Sequence, residues 1–338
     1  MKSLWPLIKV VVGVGILVTL TVRLGAQAFV DGVAAIGAGS VLAALGLGLL
    51  TTVASAARWC LVARGLGLRL PLPAAVSDCY RAVFLNSVLP AGVLGDVHRA
   101  VGYGRQIGDV GRGVRVVAIE RITGQLAIIV VGLGVLLASR PDLLAVLLPG
   151  RLGVVELLAV VAVVAAAALW AARAPRAARL RGSLRSALAD ARSGALSRST
   201  WPGLLVLSVV ALAGYLALFV VAARAAGTQA SVLELLPLLV LGLLAMALPL
   251  NIGGWGPREG VTAVAFGAVG LGAAQGLTTA VVYGVLSLIA CLPGAVVLLL
   301  PAVLARYRRA RHGQAQYRHA LPAARPAAMS VQLERSPA

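Results

Sequence analysis

The sequence predicts an all-α, polytopic integral membrane protein with about 6–8 transmembrane helices, two of its segments being broken or re-entrant. Three observations carry that prediction. Of 338 residues, 60% are hydrophobic and 12% charged, and the mean hydropathy is +0.96, a composition outside every soluble class. The apolar residues fall into runs long enough to cross a hydrocarbon layer of roughly 30 Å. Two of these runs are interrupted by clusters of Pro, Gly, Asn and charge.

The formal charge of +19 comes from 30 Lys and Arg against 11 Asp and Glu. In a soluble protein it would suggest nucleic acid. Here the arginines lie between and after apolar runs, so the bias of cytoplasmic flanks toward basic residues explains them, and no nucleic-acid partner is expected. Cys60, Cys79 and Cys291 lie far apart in or beside apolar stretches and read as packing residues. His98, His312 and His319 have no metal-ligand spacing, and no cofactor motif occurs.

Residues 4–22 form the first apolar run, with Lys2 and Lys9 placing its start at the cytoplasm. Ala26-Gln27-Ala28 resembles a signal-peptidase site, but Arg23 interrupts that pattern, so an uncleaved first helix is expected. The run from Gly32 to Ala57 spans next, and Arg58, Arg64 and Arg69 mark its cytoplasmic end. Residues 74–100 are too short and too charged to cross comfortably, and read as a re-entrant hairpin or broken helix. Glu120 and Arg121 open a span from Ile122 to Ser139, and another runs from Leu152 to Ala172. Pro202–Ala223 is a clean span, and Glu234 to Leu250 leads into the second break. The uncharged run from Gly260 to Ala305 would reach roughly 69 Å as one helix, so it must fold back near Gly270–Gly276. Pro293-Gly294 is expected to kink the last span.

Residues 1–310 therefore read as one membrane domain, its halves 1–172 and 202–310 joined by a basic cytoplasmic loop, 173–201. Arg173, Arg176, Arg179, Arg181 and Arg185 in that loop suit anionic inner-leaflet lipids. Residues 311–338 read as a disordered basic tail. With both termini and the loop cytoplasmic, in a cell membrane, each half crosses an even number of times.

The two interrupted segments share their content. Asn86, Pro90, Gly92, Gly95, Asp96 and Arg99 make up the first, and Pro249, Asn251, Gly253, Gly254, Trp255, Gly256, Pro257, Arg258 and Glu259 the second. Corresponding breaks in two halves point to a transporter site at the interface of inverted repeats. Each intramembrane charge costs roughly 2.5–3.5 kcal/mol, so Asp96, Arg99, Glu120, Arg121, Arg258 and Glu259 are candidates for substrate binding, with Asn86, Asn251 and Trp255 beside them. Helix N-termini at the breaks suit a phosphate, and Arg99 and Arg258 are placed to clamp it from two sides. A purely structural role would instead pair Asp96 with Arg99, Glu120 with Arg121 or a neighbour, and Glu259 with Arg258.

These same residues, Asn86…Pro90…Gly95-Asp96…Arg99, Glu120-Arg121 and Pro249…Asn251-Ile-Gly-Gly-Trp255-Gly-Pro-Arg258-Glu259, resemble the lysylphosphatidylglycerol synthase transmembrane-region family over about residues 5–310. That family includes the flippase domain of the bacterial multiple peptide resistance factor. The resemblance implies translocation of a phospholipid or lipid-linked substrate. The resistance factor's lipid-making step belongs to a separate cytosolic domain, so aminoacyl transfer is not implied. The alternatives are an integral-membrane transferase acting on a glycolipid or polyprenyl phosphate, and an accessory subunit without transport of its own. The transferase would need a metal pair such as Asp-x-Asp, which the sequence lacks.

Overall fold

The structure is a computed structural model that describes residues 27–34, 36–89, 92–140, 189–190, 192, 197–247 and 255–320. Among them are nine helices: α1 (Gln27–Ala34), α2 (Ala38–Gly65), α3 (Leu72–Val88), α4 (Leu94–Gln106), α5 (Val110–Ser139), α6 (Trp201–Ala225), α7 (Val232–Ala247), α8 (Pro257–Ala268) and α9 (Ala273–Ala320). Among the described residues, four stretches are long and apolar enough to cross a membrane: α2, α5, α6 and Ala273–Leu300 of α9. The expected spans at 4–22 and 152–172 lie outside the described residues, as does most of the 173–201 loop. The chain divides into two compact units, Met1–Ala295 and Val296–Ala338, and the cavity described below lies in the first.

The first interrupted segment is a hairpin of two short helices. At 17 residues α3 is only about 26 Å long, less than the hydrocarbon thickness. It stops at Leu89, the chain turns through Gly92 at φ +60°, and α4 returns along α3. Gly95 allows that return, since a Cβ there would stand 2.1 Å from the Ala82 carbonyl oxygen. The other face of α3 meets α9, where a Cβ on Gly294 would stand 2.2 Å from the Tyr80 carbonyl oxygen. The hairpin is thus packed on protein, which is the condition for a helix break at membrane depth.

Two boundaries differ from the sequence reading. α2 does not end at Arg58 but continues to Gly65, and Arg58 is buried, 8% exposed. The residues after it, Trp59, Val62 and Ala63, are core residues, so the helix stays in apolar surroundings for two more turns. α5 does not open at Glu120 but at Val110, where the Asp109 carboxylate accepts from the Arg112 backbone N–H at 2.8 Å. That N-cap starts the helix early and carries Glu120 three turns inside it.

The fold-back of the long uncharged run falls where expected. α8 ends at Ala268, Gly270 and Gly272 take φ of +80° and +91°, and α9 starts at Ala273. α9 remains helical through Pro293-Gly294 and on to Ala320, so helix continues about nine residues beyond Arg311, where the sequence reading began its tail. Good helix formers such as Ala, Arg and Gln fill that stretch and serve a helix as well as a solvated tail.

Two large apolar cores hold these elements, beside a small cluster of Ala263, Leu277 and Val281. One gathers Trp59, Val62, Tyr103 and Val116 from α2, α4 and α5, with the Trp59 and Tyr103 rings edge-to-face at 5.4 Å. The other gathers Phe219, Leu235, Leu239, Phe266 and Leu286 from α6 to α9, with Phe219 stacked on Tyr283 at 4.2 Å. α6 packs along α2 and joins the two cores.

Candidate functional site

Between these cores lies a cavity of about 240 Å³, lined by every helix from α2 to α9. Its wall carries Arg58, Asp96, Arg99, Glu120, Arg121 and Arg258, so the charges that the sequence scatters over 200 residues face one space.

On the first-half side they form a connected network. Glu120 is 2% exposed, and each of its oxygens accepts from a different guanidinium: Oε1 from Arg58 Nη2 at 2.7 Å, Oε2 from Arg99 Nη2 at 2.9 Å. Arg99, itself 4% exposed, also reaches Asp96 Oδ1 at 3.2 Å, donates Nη1 to Cys79 Sγ at 3.1 Å, and lies over the Trp59 ring at 4.6 Å. Asp96 is held in turn by Arg121 through Nε, at 2.9 Å, and Nη2. Asn86 closes the corner. Its Nδ2 donates to Asp96 Oδ2 at 2.8 Å, and its Oδ1 accepts the Gly95 backbone N–H at 2.8 Å, satisfying an orphan donor at the start of α4. Arg58 also donates Nη1 to Ser208 Oγ of α6 at 3.3 Å, tying the network to the other half.

Of the partners the sequence offered Glu120, Arg121 or a neighbour, Arg121 is not used, and Arg58 and Arg99 are. Adjacent residues on a helix point about 100° apart. Glu120 therefore reaches Arg58 of α2 and Arg99 of α4 while Arg121 turns to Asp96 at the start of α4, its side chain 47% exposed. The pairing of Asp96 with Arg99 is present, as one contact among several. Arg58, Ser208 and Cys79 are the members that sequence reasoning missed. The available signal for Arg58 was the apolar stretch Trp59–Ala63 on its far side, which is wrong for a residue at a membrane boundary.

The second-half side is a closed pair. Arg258 is 1% exposed and Glu259 fully buried. Arg258 donates Nε to Glu259 Oε1 at 3.0 Å and Nη2 to the same oxygen, and its Nη1 lies 3.9 Å from Met246 Sδ. Its guanidinium carbon stands 5.1 Å from both the Trp255 and Tyr283 ring centres, a cation–π seat on two faces. Glu259 Oε2 accepts the Gly256 backbone N–H at 2.6 Å. Gly256 has φ +107°, a conformation that favours glycine, and Pro257 then starts α8. In both breaks, then, a protein side chain already takes a backbone N–H at the start of the helix. Pro90, Pro249, Asn251, Gly253 and Gly254 lie outside the described residues, as do Arg173, Arg176, Arg179, Arg181 and Arg185.

Two glycines seat the guanidinium groups. A Cβ on Gly124 of α5 would stand 2.8 Å from Arg58 Nη2, and one on Gly284 of α9 would stand 2.5 Å from Arg258 Nη2 and 2.6 Å from the Trp255 ring. Among the described residues no group of three or more His, Cys, Asp or Glu is arranged to hold a metal ion.

No curated protein matches the chain. Residues 7–295 match the family described as Lysylphosphatidylglycerol synthase TM region, a stretch that contains the cavity and every charged residue on its wall. The chain is therefore a multi-pass membrane protein that belongs to the lysylphosphatidylglycerol synthase TM region family.

Proposed function

We propose that the protein translocates a phospholipid or lipid-linked substrate across the cell membrane, with the headgroup phosphate held by the arginines of the cavity. The observation that carries the reading is the cavity wall itself, on which four guanidinium groups and two carboxylates face a space reached from both halves of the chain. Charges cost free energy in a membrane protein and mark substrate paths there. Arginine matches a phosphate with a planar fork of donors. Arg99 and Arg258 contribute from the two broken segments, and Arg58 and Arg121 complete the basic lining.

Reconstitution into phospholipid vesicles tests this. Fluorescent short-chain phospholipid placed in both leaflets is exposed to a membrane-impermeant quencher, and loss of the protected inner-leaflet signal reports translocation. The intact protein is expected to accelerate that loss well beyond protein-free vesicles, and Arg99→Ala to remove the acceleration while still inserting. Vesicles with inserted protein that behave like empty ones would overturn the proposal.

A further inference from the structure

The charges on the wall do not balance, and the imbalance sits on one side. Around Glu120 the network holds three guanidinium groups (Arg58, Arg99 and Arg121) and two carboxylates (Asp96 and Glu120), a net charge of +1 among the described residues. Across the cavity, Arg258 and Glu259 cancel each other. Arg121, whose side chain is 47% exposed, lines the cavity, so the network presents one positive charge in excess to that space, and an anion of one negative charge balances it.

The donors point to the same place. Glu120 takes one Nη2 from Arg58 and one from Arg99, so each of these forks meets it through a single nitrogen. Arg58 Nε and Arg99 Nε are buried with no hydrogen-bond partner among the described residues. Buried donors of cations left without a protein partner are costly and call for an acceptor. Arg258 differs, since its Nε and Nη2 are both spent on Glu259. Arg121 differs too, with Nε and Nη2 both on Asp96.

We propose that the site takes one singly charged oxyanion, of the phosphodiester class, between Arg58 and Arg99, and that Glu120 sets this charge limit by bridging the two. The assignment rests on the headgroup reading above and sharpens it. A phosphodiester brings the cluster to neutrality. A phosphomonoester, whose second ionisation lies near pH 6, brings close to two charges at pH 8 and leaves a buried excess of negative charge. Asp96 is not displaced, because Arg121 and Asn86 hold it independently of Arg99.

Calorimetry on the purified full chain in detergent at pH 8 tests this with two short-chain lipids, dihexanoyl phosphatidylglycerol (a phosphodiester) and dihexanoyl phosphatidate (a phosphomonoester). The phosphodiester lipid is expected to bind at least about tenfold more tightly, and dimethyl phosphate, but not inorganic phosphate, to displace it. Glu120→Gln raises the local charge to +2 and is expected to bring phosphatidate level with the phosphodiester or ahead of it. Equal binding of the two lipids by the unaltered protein would overturn the charge limit. So would displacement by inorganic phosphate, or an unchanged ratio in folded Glu120→Gln. If Glu120→Gln does not fold, Arg58→Lys and Arg99→Lys decide the location, because each keeps the charge and removes the fork. Each should weaken the phosphodiester lipid about tenfold, and an equal loss in Arg258→Lys would overturn the assignment to this pair. Binding is read without transport. Vesicles that move no lipid although the protein binds as described would defeat the transport reading alone.

Discussion

The two charged clusters on the cavity wall are built on opposite plans. The second-half cluster is two neighbours in sequence, Arg258 and Glu259, locked to each other, to a helix start and to two aromatic rings. The first-half cluster draws on five helices, and its members lie up to 150 residues apart, as Arg58 and Ser208 do. A neighbour pair is electrically closed and fixes local geometry. An assembled network need not close, and this one keeps an extra positive charge facing a cavity. The comparison separates a group that shapes a break from a group able to answer a ligand.

Removing the acids should break that symmetry most strongly. Glu120→Ala strands Arg58 and leaves Arg99 only its contact with Asp96, a carboxylate already shared with Arg121, and breaking a buried pair costs about 3–5 kcal/mol. Glu259→Ala strands Arg258 and also removes the acceptor for Gly256 N–H. Both are expected to lower the midpoint of thermal unfolding in detergent, Glu120→Ala by more. Rescue then distinguishes the plans. Arg258→Met should restore much of the stability of Glu259→Ala, since it removes the lone stranded cation and leaves an apolar chain between Trp255 and Tyr283. Neither Arg58→Met nor Arg99→Met should rescue Glu120→Ala to the same degree, because Arg99→Met leaves Arg58 unpaired and Arg58→Met leaves Arg99 sharing Asp96 with Arg121. Equal rescue on both sides would mean that the first-half network is only a set of independent pairs.

The glycine seats give the next largest effect and sharpen the contrast. Gly284→Ala drives a methyl against both a guanidinium and the Trp255 ring, and overpacking of that kind costs about 1–3 kcal/mol. Gly124→Ala meets only the far end of the Arg58 side chain, which is able to swing. Unfolding midpoints should therefore fall clearly for Gly284→Ala and little for Gly124→Ala, whereas phosphodiester binding should fall for Gly124→Ala. A Gly124→Ala protein with unaltered binding would show that the Arg58 position does not matter to the ligand.

What the sequence could disclose follows from the same difference in plan. The helical membrane class, the two breaks and the fold-back at Gly270–Gly272 rest on local signals: apolar run length, Pro and Gly clusters, and the limit on helix length. Arg258 and Glu259 were legible for the same reason, being adjacent and wholly inside an apolar region. The first-half network was legible only as a set of charges. Its pairing depends on how α2, α4, α5 and α6 rotate about their axes, and nothing in the spacing of Arg58, Arg99 and Glu120 fixes that. Arg58 was misplaced because a basic residue after an apolar run is the usual mark of a membrane boundary, and only the five apolar residues beyond it say otherwise.

Asn86 marks the point where the two plans meet, and its substitution carries the smallest expected effect. It does for the first break what Glu259 does for the second, offering an acceptor to a backbone N–H at the start of the helix that follows. Glu259 does so with a charge and Asn86 without one. The reason lies in its other contact, since Nδ2 donates to Asp96, and a carboxylate in its place would face Asp96 with like charge. Asn86→Ala loses the cap and should cost about 1 kcal/mol. Asn86→Asp keeps the acceptor for Gly95 yet replaces an attraction by a repulsion and reduces the net charge of the network to zero. Its stability should therefore be no better than that of Asn86→Ala, and its phosphodiester binding should be weaker than that of Asn86→Ala, which leaves the +1 intact. Thermal midpoints and calorimetric affinities on the two variants check both orders. If Asn86→Asp bound the phosphodiester as well as Asn86→Ala, the net charge of the network would not be what the ligand reads, and the two clusters would differ in construction without differing in role.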